Sequence, residues 1–224
     1  TTQLLSHIQR AYWEQTSRRF RWPVASPALV HFNALPIHWE LNQRLNSSQV
    51  GANALAGGDF ENLNHMLEHG WKQEVLQQAA IQGDVELTPQ QPKTGHYALR
   101  LRAWPTKPNQ PQQIVPIPPI TIRSAPVNVQ LGQLLRIQGW VNVPRPITGS
   151  RDGLLVSDSL GGESLALRIQ QTDQWQPFVL YRVADESGPF YLHVALTGLG
   201  EAFVDALSVH AIDDTPDARP RVQE

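Results

Sequence analysis

The chain has 224 residues, 41% of them hydrophobic, and a formal net charge of −2, which allows a real core but offers no basic block to neutralise phosphates, so a nucleic-acid binder is excluded. No apolar run is long enough to span a bilayer and no polybasic amphipathic segment marks a membrane surface. Cysteine is absent, which removes disulfides, thiolate metal sites and cysteine nucleophiles.

Thr1 opens the sequence with neither an initiator Met nor a signal peptide, the pattern expected of a piece of a longer protein. Residues 1–20 carry Leu4, Leu5, Ile8, Ala11 and Tyr12 at three- and four-residue spacing, which predicts an amphipathic helix. Arg18, Arg19 and Arg21 suit its C-terminus, and Pro23 and Pro27 forbid its continuation. A second short helix is predicted over 36–45 through Ile37, Leu41 and Leu45. Residues 1–52 are therefore expected to form a helical N-terminal extension.

The stretch 57–71, GGDFENLNHMLEHGW, contains His65-Met66-Leu67-Glu68-His69. That fits H-x-x-E-H, in which two His a helical turn apart bind zinc and the Glu acts as base. A catalytic helix would have to fit between Phe60 and Gly70, and no later helical segment supplies a third ligand. The expectation is a single surface turn, with Met66 and Leu67 touching the core. His65 and His69 retain the spacing for casual binding of a transition metal.

Beyond residue 53 the period changes to two. Tyr97, Leu99 and Leu101 alternate with Ala98, Arg100 and Arg102. Leu135, Ile137, Val141 and Val143 alternate with Arg136, Gln138, Trp140 and Asn142. Leu165, Leu167 and Ile169 alternate with Ala166, Arg168 and Gln170, and Leu192, Val194 and Leu196 with Tyr191, His193 and Ala195. Further strands are predicted at 73–87, 120–131, 153–158, 175–184 and 202–211. The chain's 18 prolines disfavour a mostly helical fold. The proline- and glutamine-rich run 104–119 reads as a stiff extended loop, or as a polyproline ligand. No helix-length pattern separates the strands, so the expected fold is mainly β: an antiparallel β-sandwich over 53–212, followed by a tail at 213–224.

The order of several short pieces carries a resemblance. These are Gly58-Asp59-Phe60-Glu61, Gly70-Trp71, Thr94-Gly95-His96-Tyr97-Ala98-Leu99, Gly132 through Gly139-Trp140-Val141, Trp175-Gln176-Pro177-Phe178, and Phe203-Val204-Asp205. Together they resemble the β-jelly-roll carbohydrate-binding modules with a galactose-binding-domain-like sandwich, which are appended to bacterial glycoside hydrolases. The resemblance covers 53–212 and implies the fold more strongly than a ligand. It also implies a structural calcium held by Glu61 and Asp205, chemically reasonable because hard carboxylate oxygens suit Ca²⁺ and would tie the first strand to the last. Ala206 stands where a second acidic residue often follows, so backbone carbonyls would have to complete the shell.

A sugar site needs an aromatic plane and planar polar groups. The alternation places Arg136, Gln138, Trp140 and Asn142 on one polar face, joined by Arg168 and Gln170 on a second strand and Arg100, Arg102 and Trp104 on a third, with His193 and Tyr191 on a fourth. Trp71 and Trp175 are expected in the core or at the sheet rim. Paired catalytic carboxylates are not identifiable, and Ser157-Asp158-Ser159 lacks a nucleophile-elbow context.

The expected function is non-catalytic glycan binding, as an accessory module of a larger, exported bacterial protein working outside the cell or in the periplasm. Its expected partners are a polysaccharide and neighbouring domains of a longer chain. The competing expectation is a structural or protein-interaction sandwich without a sugar ligand, with the N-terminal helix laid over the polar face.

Overall fold

In the computed structural model, which describes residues 29–32, 49–76, 80–107 and 114–213, strands dominate. In chain order they are β1 (Leu29–Phe32), β2 (Gln49–Asn53), β3 (Lys72–Val75), β4 (Ile81–Thr88), β5 (Ala98–Pro105), β6 (Ile120–Arg123), β7 (Val127–Val129) and β8 (Leu134–Asn142). They continue as β9 (Leu154–Asp158), β10 (Leu167–Ile169), β11 (Gln176–Val183), β12 (Gly188–Phe190), β13 (Leu192–Leu196) and β14 (Gly200–Asp213). Among the described residues one short helix, α1 (Leu63–Glu68), precedes β3, and one 3-10 turn spans Glu163–Leu165.

The strands form a β-sandwich. The large sheet runs β1-β11-β8-β14-β5-β4, with β2 also paired to β14; the small sheet runs β10-β9-β13-β6-β3; β12 and β7 form a separate ribbon. Among the described strands pairing is antiparallel except between β1 and β11, which are parallel from Leu29–Phe178 to Phe32–Tyr181. Leu99, Leu101, Ile137, Val141, Phe178, Leu180, Val204 and Val209 point inward from the large sheet. They meet Ile120, Ile122, Leu154, Val156, Val194 and Leu196 from the small sheet, all at most 4% exposed. The alternation read in β5, β8 and β13 is the physical cause: one face must be apolar when two sheets share one core.

Two features differ from the sequence expectation. The sandwich begins before residue 53, because β1 and β2 belong to the large sheet. The run 73–87 is two strands, not one: β3 lies in the small sheet and β4 in the large. The predicted helices at 1–20 and 36–45, the middle of the proline-rich run at 108–113 and the tail from 214 lie outside the described residues.

At one end of the core the two sheets are joined by charge. Arg182 of β11 and Asp158 of β9 both point inward and have fully buried side chains, with Arg182 Nε 2.8 Å from Asp158 Oδ2. Arg182 also donates to the carbonyls of Tyr181 and Leu165, while Asp158 Oδ1 accepts the N–H groups of Leu160 and Gly161. Burial pushes the guanidinium pKa down, and the adjacent carboxylate opposes that shift. At the centre, Gly139 permits a close approach: a β-carbon there would overlap the Leu207 side chain and touch the Phe178 ring.

Candidate functional site

The outer face of the large sheet is organised by β14, which lies between β5 and β8. Phe203 pairs with both Arg100 and Asn142, and Asp205 pairs with Trp140, which in turn faces Pro177. This brings Arg102, Arg136, Gln138, Trp140 and Asn142 onto one face. Arg168 is not among them. It lies on β10, in the small sheet on the opposite side of the sandwich. There its guanidinium bonds Asp152 at 2.8 Å and the carbonyls of Ala166 and Glu163. His193 and Tyr191 also belong to that side, where the Arg123 guanidinium sits 4.7 Å above the Tyr191 ring. Strand alternation tells inside from outside but not which sheet a strand joins.

The large-sheet face is not uniformly open. Around Arg136 its pairing partners His210 and Tyr181 flank it, and Tyr181 is only 4% exposed. Outward positions Val179 and Phe203 are buried as well. Asn142 is 6% exposed and accepts a hydrogen bond from the Thr172 hydroxyl, itself holding the Val143 N–H. Gln138 is half-buried between Ser208 and Val179.

The open corner lies on β4 and β5. Arg100 pairs with Glu86 at 2.6 Å and Arg102 approaches Asp84 at 3.7 Å. Arg102 also places its guanidinium carbon 4.6 Å from the centre of the Trp104 ring. Its Nε is buried with no hydrogen-bond partner among the described residues, so its usable polar capacity is at the outer Nη end. By register, Trp104 and Trp140 stand six β14 positions apart, about 20 Å along the strands.

The connection from β4 to β5 straps this face. Lys93 sits with Nζ 4.0 Å over the Trp140 ring, and the Trp175 indole N–H donates to the Gln91 carbonyl. Trp175 is thus a half-buried rim residue, whereas Trp71 is buried against Phe60. The strap is held by the two predicted calcium residues. Asp205 Oδ2 accepts the N–H groups of Lys93 and Thr94 at 2.7 and 2.9 Å, and Oδ1 accepts the Ala206 N–H and the Thr94 hydroxyl. Glu61 Oε1 accepts the N–H groups of His96 and Tyr97 at 2.8 and 3.1 Å. Gly95, at φ +61, allows this approach, since a β-carbon there would overlap the Glu61 carboxylate. Those N–H donors hold the Glu61 pKa below its ordinary value. Burial outweighs the same kind of donors at Asp205 and raises its pKa. Among the described residues the non-glycine positions at positive φ are Phe60, Gln91 and Ala206, next to the two carboxylates and in the strap.

This donor chemistry bears on the cation. Calcium takes six to eight oxygen ligands. Here three of the four carboxylate oxygens of the pair already accept hydrogen bonds, and only Glu61 Oε2 has no partner among the described residues. No group of three or more His, Cys, Asp or Glu side chains gathers among those residues. The side chains alone do not complete such a shell, which would need backbone carbonyls as well; in this structure the tie between Glu61 and Asp205 runs through the backbone of the strap.

The H-x-x-E-H stretch forms α1, six residues long, capped by the Asn62 side chain accepting the His65 N–H. His69 ends the helix, its Nδ1 2.8 Å from the His65 carbonyl, and the two rings lie 4.2 Å apart. Met66 is buried, but Leu67 is 58% exposed, contrary to the expectation that both touch the core. A six-residue helix has one inward face, and Met66 occupies it.

Beside α1 a 310 Å³ cleft is lined by Glu61, Asn62, Leu63, Asn64, Leu87 and Tyr97. The sequence does not reveal this cleft or Lys93; it places Trp104 on the outer face of its strand beside Arg102 without singling it out as the ligand platform. The alternation predicts Tyr97 as an inward strand residue, yet it precedes β5 and is 39% exposed.

No protein-family model and no curated protein matches the chain. Among solved structures it is similar to the CBM22-1 xylan-binding domain of Paenibacillus barcinonensis Xyn10C, at 15% identity and TM-score 0.43, covering 75% of this chain and 99% of that one. It is similar to TmCBM61, solved in complex with β-1,4-galactotriose, at 14% identity and TM-score 0.45, covering 71% and 98%. It is also similar to the enzymatically active domain of bacteriophage CBA120 tailspike protein 4, at 11% identity and TM-score 0.47, covering 71% of this chain but 21% of that one.

Proposed function

We propose that this chain is a non-catalytic glycan-binding module of a larger exported protein, with its ligand lying along the open corner of the large sheet. The observation that carries the reading is the pairing of Trp104 with Arg102: an indole on a rigid strand, with a guanidinium 4.6 Å from its ring centre. An indole supplies the flat apolar plane that a pyranose stacks on, and the outer guanidinium nitrogens supply fixed donors for hydroxyls. Trp140 extends the same face at its far end, where a ligand reaching it must share the ring with Lys93 or displace it.

The test is titration with a panel of neutral and acidic soluble polysaccharides, followed by tryptophan fluorescence. The reading expects a saturable response that Trp104→Ala abolishes and that Trp140→Ala weakens. A panel that moves nothing, or a response untouched in Trp104→Ala, overturns it.

A second reading, a structural or protein-interaction sandwich without sugar, is favoured by one observation: Val179, Tyr181 and Phe203 occupy outward positions of the large sheet yet are at most 5% exposed. A face closed in that way serves packing rather than capture. Unchanged behaviour of every aromatic variant toward glycans would favour it.

A further inference from the structure

The outer face of the small sheet carries a row of basic side chains with which no carboxylate of the described residues pairs. Register sets Lys72 of β3 opposite Arg123 of β6, and Arg123 opposite His193 of β13. Their strand neighbours Ile122, Leu192 and Val194 are core residues, so the three side chains share the outward face. Adjacent strands lie about 4.8 Å apart, which spreads the row over roughly 10 Å. Arg100, Arg102, Arg168 and Arg182 each have a carboxylate partner, whereas among the described residues no ion pair reaches Lys72, Arg123 or His193. The Arg123 guanidinium lies instead over the Tyr191 ring, 4.7 Å from its centre, and its Nε is buried with no hydrogen-bond partner among those residues. Tyr191 is itself fixed: its N–H donates to the Ser159 hydroxyl and its carbonyl accepts the Ser159 N–H.

Like charges directly opposite one another on adjacent strands work against a sheet. A lysine on the edge strand β3 has a local use, since it deters pairing with another chain. Arg123 and His193 lie on inner strands, where there is no edge to guard. Burial holds the His193 imidazole pKa down, the Arg123 guanidinium lowers it further, and Asp158 opposes both. Ala166 packs with Leu155 and Ala195 on the same face, which leaves the β6 and β3 side as its open part. We propose that this row is a docking surface for an acidic segment of a partner protein, whose carboxylates pair with Lys72, Arg123 and His193. Arginine and tyrosine are enriched at protein interfaces, and a guanidinium takes a carboxylate through two parallel N–H bonds. Carboxylates on one face of an extended segment recur about every 7 Å, close enough to meet successive members of the row. The surface lies on the opposite side of the sandwich from Trp104, so a partner held there leaves the proposed glycan face open.

The experiment is an NMR titration of the full chain with a synthetic hexaglutamate peptide, with inorganic phosphate and oligogalacturonate as the other arms. The expected result is saturable movement of the Lys72, Arg123 and His193 amides by the peptide, weakened as salt rises from about 50 to 200 mM. The His193 imidazole should also titrate at a higher pH with the peptide bound, because a nearby carboxylate favours its charged form. Arg123→Gln should weaken binding about fivefold or more. Lys72 is exposed on an edge strand, so Lys72→Gln spares the fold and should weaken binding about twofold or more. A peptide that leaves these amides still, or an affinity untouched in both variants, overturns the proposal. So does an unmoved His193 titration. Phosphate or oligogalacturonate binding as tightly as the peptide also overturns it, since the row would then be a general anion site or a second glycan surface.

Discussion

Asp158→Ala removes one partner of the ion pair that joins the sheets, and its cost can be worked from the contacts. Arg182 and Asp158 side chains are fully buried. The substitution leaves a desolvated guanidinium without its carboxylate and strands the Leu160 and Gly161 N–H groups. Breaking a buried pair from one side costs on the order of 3–5 kcal/mol. Against a total stability of roughly 5–15 kcal/mol this is a large share. For a chain of this length each kcal/mol moves the midpoint about 2–4 °C, so a fall of about 6–20 °C is expected. Urea unfolding followed by circular dichroism measures it. The double variant Asp158→Leu, Arg182→Met should lose less than the sum of the singles, because it leaves no unpaired charge. A single-variant loss below about 1 kcal/mol, or an additive double variant, would refute the account.

Three further outcomes follow from the same structure. The Glu61 pKa is depressed in the fold, so the folded state binds fewer protons than the unfolded chain; that contribution is complete above the unfolded value and lost as pH falls through the depressed one. Thermal midpoints measured below about pH 4.5 should therefore fall more steeply for the wild type than for Glu61→Gln, while Asp205, whose pKa is raised, opposes the trend by favouring the protonated fold as pH drops. Calcium or a chelator should leave the midpoint unchanged, whereas a site filled at a hundred times its Kd would add about 2.7 kcal/mol. Gly139→Ala forces a methyl against Leu207 and Phe178 and should cost about 1–3 kcal/mol in urea unfolding, with the sheet content by circular dichroism unchanged.

Much of the architecture was legible because β5, β8 and β13 repeat every second residue, the direct imprint of one buried and one outer face. What that period cannot carry is the identity of the sheet, which is why Arg168 was grouped with Trp140 although the core lies between them. Short edge strands carry too few residues for a pattern, so β1 and β2 were absorbed into an expected helical region. The buried pair left one trace, Arg182 at a position whose parity matches Phe178 and Leu180, but its partner lies 24 residues away and only packing reveals it. Glu61 and Asp205 were visible as a pair; the strap between them was not, because backbone N–H groups are the same in every residue.

The parallel pairing of β1 has a consequence for handling the molecule. With β1 in place, the backbone of β11 from Phe178 to Tyr181 is covered on both sides, by β8 and by β1. A version trimmed to start after Phe32 would turn β11 into a bare edge, its unpaired N–H and C=O groups free to recruit another strand. Such a version is exposed to self-association and strand exchange between copies, so the first strand guards solubility as much as it completes a sheet.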